Sequence, residues 1–133
     1  MKIQELSYEQ IVKDLLRLVQ LHSPFICHIG LFGSVLNKPL SEVNDVDVLV
    51  LYKGITFSDL KEKIKNTPML LKTYEAYLNV SYSKADKNPE DPAGYHFILM
   101  PIHDPCWNFL FRHDGDIDYL TEPFEIVNEQ CKV

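Results

Sequence analysis

The stretch LFGSVLNKPLSEVNDVDVLVLY, residues 31–52, decides how the rest of the chain is read. Its first two residues close an apolar run, 25–32, that reads as a strand. Gly33-Ser34 makes a turn, a short helix or loop follows, and a second strand opens with Asp45 and Asp47. In extended backbone residues i and i+2 share a face, so the two carboxylates project together while Val46, Val48 and Val50 face a core. Two acids on one rigid surface suit a hard divalent cation such as Mg2+ (or Mn2+), which keeps other positions for water and substrate phosphates. Gly33 lets the backbone turn sharply and approach a ligand closely. Ser34 adds a hydroxyl and a backbone N–H near a helix start, where an anion is favoured. Acids for metal and a Gly-Ser turn for phosphate together point to a nucleoside triphosphate.

Gly33-Ser34, ten intervening residues, and Asp45-Val46-Asp47 followed by Val48-Leu49-Val50 resemble the signature of polymerase-β-type nucleotidyltransferases. The spacing is similar to that of the small minimal members, and the match covers about twenty residues. The resemblance implies one nucleotidyltransferase-like domain over residues 1–133. It also implies transfer of a nucleoside monophosphate from an NTP, ATP first among them, to a protein, small-molecule or RNA-end acceptor, assisted by two metals. Gly33 and Ser34 would hold the β- and γ-phosphates, and Asp45 and Asp47 the metal. Fully active members carry a third acid on the next strand, flanked by apolar residues. Here the matching triplet is Leu78-Asn79-Val80. Asn79 offers an amide oxygen to a metal but carries no charge and cannot serve as a base. Glu75 ranks first as a substitute, although four residues are about 13 Å along a strand. Asp104 and Asp118 lie further on. The alternative is therefore a catalytically weakened protein of the same fold that binds nucleotide or a protein partner, or a toxin–antitoxin component.

Composition bounds these readings. With 133 residues the chain forms one domain with a substantial core. The formal charge of −6 argues against a broad hold on nucleic acid, which needs a basic face to displace counterions. Residues 61–72 hold four lysines and one glutamate, which a solvated helix face explains. Cys27, Cys106 and Cys131 form no C-x-x-C pair and read as reduced thiols of a cytoplasmic protein. No signal pattern or membrane-length apolar run is present.

Taken in order, Ser7-Tyr8-Glu9-Gln10 reads as a capping box, and Ile11, Val12, Leu15, Leu16, Leu18 and Val19 recur at helical spacing behind it. A helix over 8–21 follows, ended by Ser23-Pro24. His28, inside the first strand, reads as a hydrogen-bonded, mostly buried histidine. Pro39 ends the short helix after Ser34. A second main helix spans 58–66, capped by Thr56 or Ser58. From Thr73 the alternation of Tyr74, Ala76, Leu78, Val80 and Tyr82 with polar residues reads as a strand, one of its faces half polar. Residues 84–94 read as a surface loop, 95–102 as a strand, 107–112 as another apolar run, and Asp114-Gly115 as a hairpin turn into 116–120. The expected fold is α/β (α+β): a mixed sheet of four to six strands with helices packed on one face and the other face open and catalytic.

Other constellations are weaker. Asp114, Asp116, Asp118, Glu122 and Glu125 fall at calcium-loop positions, but Tyr119 stands where that loop requires Gly. His103-Asp104 and His113-Asp114 read as turn chemistry beside Pro105 and Gly115. Neither Cys106 nor Cys131 has a histidine arrangement that suggests a nucleophile.

Overall fold

The computed structural model describes residues 2–43, 45–78, 94–102 and 117–121. Over these residues it is a mixed α+β fold built on one five-stranded sheet. Helix α1 (Tyr8–Leu21) starts where Ser7 caps it: the Gln10 N–H donates to Ser7 Oγ at 3.2 Å, and the Ser7 N–H donates to Gln10 Oε1 at 2.8 Å. These bonds satisfy two of the donors that a helix start leaves unpaired. Ile11, Leu15 and Leu18, at i, i+4 and i+7, are fully buried, so α1 lies on the sheet along that stripe.

Strand β1 (Ile26–Phe32) leads through Gly33 into helix α2 (Ser34–Asn37), a single turn stopped before Pro39. Residues 40–42 add a 3-10 turn. Strand β2 (Val46–Tyr52) then runs back antiparallel to β1, with Phe32 opposite Asp47. Helix α3 (Phe57–Lys65) is capped by Thr56, whose hydroxyl accepts from the Asp59 N–H at 3.2 Å. Strands β3 (Lys72–Leu78), β4 (Gly94–Pro101) and β5 (Ile117–Tyr119) complete the sheet in the order β3-β4-β2-β1-β5. β4 runs parallel to both β2 and β3, and β5 runs antiparallel to β1. Among the described residues no helix is long and apolar enough to cross a membrane.

Each strand divides its residues between two faces. Val46, Val48, Val50 and Tyr52 of β2 join Tyr95, Phe97 and Leu99 of β4 beneath Ile11, Leu15 and Leu18 of α1 and Leu60 and Ile64 of α3. The helices therefore share one face, as expected. The opposite face is not open along its centre. Leu49 and Leu51 of β2 pack with Ile98 and Met100 of β4 and with Ile102, and Leu49 is 1% exposed. β2 and β4 are internal strands, parallel to each other, and read VDVLVLY and GYHFILMP. A near-continuous apolar run is what a parallel strand buried on both faces requires.

A polar tie runs through the helix layer. Asp14, 5% exposed, accepts from the Tyr95 hydroxyl at 2.7 Å and the Leu70 N–H at 2.9 Å, while Arg17 lies 3.2 Å from its other oxygen. Arg17 also donates to the Pro68 carbonyl. Burial, with the hydrogen bond to Asp14 and its charge, pushes the Tyr95 phenol up and keeps it neutral.

Candidate functional site

The two halves of the 31–52 stretch meet in space. Gly33, at the end of β1, has φ +80° and ψ −150°, a region open essentially to glycine alone. A Cβ at Gly33 would lie 2.5 Å from Asp47 Oδ2, so the turn is pressed directly against that carboxylate. The antiparallel register explains the contact, because Phe32 pairs with Asp47 and Gly33 follows Phe32 by one residue. Ser34 follows as the first residue of α2 and is partly exposed.

Asp45 immediately precedes β2 and is 8% exposed, whereas Asp47 within the strand is only half-buried. Asp47 shares the face of Leu49 and Leu51, away from the helices. On the neighbouring strand β4, the residue in register with Asp47 is His96, which is 4% exposed. Its Nε2 lies 3.3 Å from Asp45 Oδ1. Asp45, Asp47 and His96 thus cluster on one face at the end of the sheet where β2 and β4 begin.

His96 is the residue that the motif leaves out. A polar side chain inside the otherwise apolar run Tyr95–Met100 is its signal. Its closeness to Asp45 follows only from the placement of β4 beside β2.

Glu75 lies on β3, and β4 intervenes between that strand and β2. Two strand spacings separate them, about 10 Å, so the sheet does not bring Glu75 beside the two aspartates. Asp118 on β5 pairs with Leu31, a residue of the helix-side core, and accepts a hydrogen bond from the Tyr8 hydroxyl of α1. It belongs to the opposite face from Asp47. Asn79, Asp104 and the other acids and histidines of the 103–116 and 122–130 segments lie outside the described residues, as do Cys106 and Cys131.

His28 is half-buried, with Nδ1 3.3 Å from Thr121 Oγ1. The same hydroxyl accepts from the Ile29 N–H at 3.0 Å, which ties the end of β5 to β1. Burial, helped by the positive charge of Lys53, lowers the affinity of His28 for a proton. His22 is lowered likewise by burial and Lys63. Burial pushes the Cys27 thiol up, the reverse of what a reactive thiol needs.

Carboxylate oxygens are the donor type that a hard cation takes. Asp45 and Asp47 supply carboxylate oxygens, and Gly33 presents only hydrogen to Asp47 where any other residue would crowd it. Among the described residues, no group of three or more His, Cys, Asp or Glu side chains is gathered to hold a metal unaided. A site with two carboxylates suits Mg2+ completed by water and phosphate oxygens, rather than zinc in a closed protein cage.

Comparison with family models, with curated proteins and with solved structures gave no match.

Proposed function

We propose that the chain is a nucleotidyltransferase-like protein that binds an NTP, ATP first among them, at Gly33, Ser34, Asp45 and Asp47. It transfers the nucleoside monophosphate to an acceptor. The observation that supports this reading is the contact between the Gly33 turn and Asp47. It unites a phosphate-binding turn and a carboxylate pair that the sequence separates by ten residues.

In this reading, the backbone at Gly33 and Ser34 and the Ser34 hydroxyl orient the β- and γ-phosphates. Asp45 and Asp47 would hold Mg2+ or Mn2+, which when bound neutralises phosphate charge and stabilises the attacking and leaving oxygens. The acceptor oxygen bonds to the α-phosphorus in line as the bond to pyrophosphate breaks. Positioning and charge neutralisation supply most of the rate.

One observation favours a second reading, a nucleotide-binding module without turnover. The strand beside β2 offers His96 opposite Asp47, where a third carboxylate would be expected, and Glu75 is one strand further away.

Calorimetric titration with each Mg-NTP, paired with a pyrophosphate assay, separates the two. Binding that is lost in the Asp45→Asn/Asp47→Asn double variant, together with pyrophosphate release by the native protein, supports transfer. Binding without pyrophosphate supports the module. Absence of binding by every NTP would sink both.

A further inference from the structure

We propose that α1 is a latch on the edge strand β3: Asp14, Arg17 and His22 clasp the connection from α3 to β3, and releasing the clasp opens β3 locally. Strands β4, β2 and β1 stay paired in the opened state.

The contacts form a zipper. Taken forward along the end of α1, Asp14, Arg17 and His22 meet Leu70, Pro68 and Thr67, which is the connection taken in reverse. The Leu70 N–H donates to Asp14 Oδ2 at 2.9 Å, and Arg17 donates to the Pro68 carbonyl. His22 Nε2 lies 2.7 Å from Thr67 Oγ1, whose single proton goes to the Lys63 carbonyl at 2.7 Å. That carbonyl can only accept, so His22 Nε2 is the donor to the Thr67 hydroxyl. Asp14 Oδ2 also accepts from the Tyr95 hydroxyl at 2.7 Å, and Tyr95 pairs with Thr73 of β3. One buried carboxylate oxygen therefore holds both the approach to β3 and the strand on which β3 lies.

β3 depends on such a hold. Among the described residues it is an edge strand whose one neighbour is β4. The ladder is irregular between Thr73 and Ala76, just past the point that Asp14 fixes. A parallel pair is also slightly less stable per residue than an antiparallel one. Departure of β3 makes β4 the new edge, which changes the surface that the sheet presents to another chain.

Amide hydrogen exchange of the full chain, read residue by residue by NMR, tests the latch. In the native protein the protected β3 amides should exchange faster than those of β2, through an opening that spares β2. Asp14→Ala should speed exchange over residues 72–78 by at least about tenfold. Arg17→Ala alters a side chain that is 44% exposed, so the fold survives it, and should speed the same amides by about fivefold. Ile29→Val is the control, since it thins the core at β1, three places from β3 in the sheet. It should speed the slowest β2 amides by about fivefold and leave β3 unchanged.

Native β3 amides that exchange together with those of β2, or that show no protection, would overturn the latch. So would native β3 rates in Arg17→Ala, or a β3 accelerated as much as β2 by Ile29→Val. If Asp14→Ala does not fold, Arg17→Ala and the control decide the matter.

Discussion

Gly33 shows how much can depend on the absence of one carbon. Its φ of +80° excludes other residues on backbone grounds, and its missing Cβ makes room for Asp47 Oδ2. Gly33→Ala therefore imposes two penalties. Backbone strain of this kind costs about 1–3 kcal/mol, to be read as a lower urea midpoint. The Asp47 carboxylate must also swing aside, so Mn2+ affinity should fall by about tenfold, the scale seen when a metal ligand loses its support. Unchanged affinity in a folded Gly33→Ala protein would show that Asp47 does not hold the ion from its present position. The glycine was legible in the sequence as a turn before the acids. Its contact with Asp47 was not, because the register of β1 on β2 is needed to bring residues 33 and 47 together.

At the scale of elements, α1 is fully written in its own sequence. The capping box, the apolar spacing and the stop at Ser23-Pro24 are local signals, and the helix runs Tyr8–Leu21 as they predict. Local signals also place α3, whose cap proves to be Thr56. How α1 is fastened is a different matter. Asp14 reads as one more polar residue of an amphipathic helix, yet it is buried and accepts from Tyr95 on β4 and from Leu70. Asp14→Ala leaves both donors without this acceptor, at about 1–3 kcal/mol each, so stability should fall by about 2–6 kcal/mol in chemical denaturation. Tyr95→Phe removes only one partner of the carboxylate and should cost about 1 kcal/mol. Equal losses in the two variants would mean that the Leu70 bond and the Arg17 contact contribute nothing. The helix start is sequence-local, whereas the partners of Asp14 lie 56 and 81 residues away.

For the whole molecule, sheet order is the decisive quantity. Placing β4 between β2 and β3 makes β2 an internal strand with parallel and antiparallel neighbours, buried on both faces. Leu49 tests this directly, since it lies on the face that carries none of the helices α1, α2 and α3. Leu49→Ala should cost about 2–5 kcal/mol, as for a core leucine. A loss below about 0.5 kcal/mol, typical of surface positions, would restore the open face. The same sheet order takes Glu75 away from the aspartates and brings His96 to them.

The sequence by itself determined the mixed α+β class, the positions of α1 and α3, and the four longer strands. Each of these follows from interactions within a few residues: caps, periodicity, turn chemistry and the alternation of a strand. Tertiary structure alone decided which strand lies beside β2, that both faces of β2 are covered, that Gly33 abuts Asp47, and that His96 reaches Asp45. Those outcomes depend on which distant segments share a ladder, and no local propensity encodes strand order. The physical reason is that a strand's own pattern specifies which residues share a face, while only its neighbour specifies what that face meets.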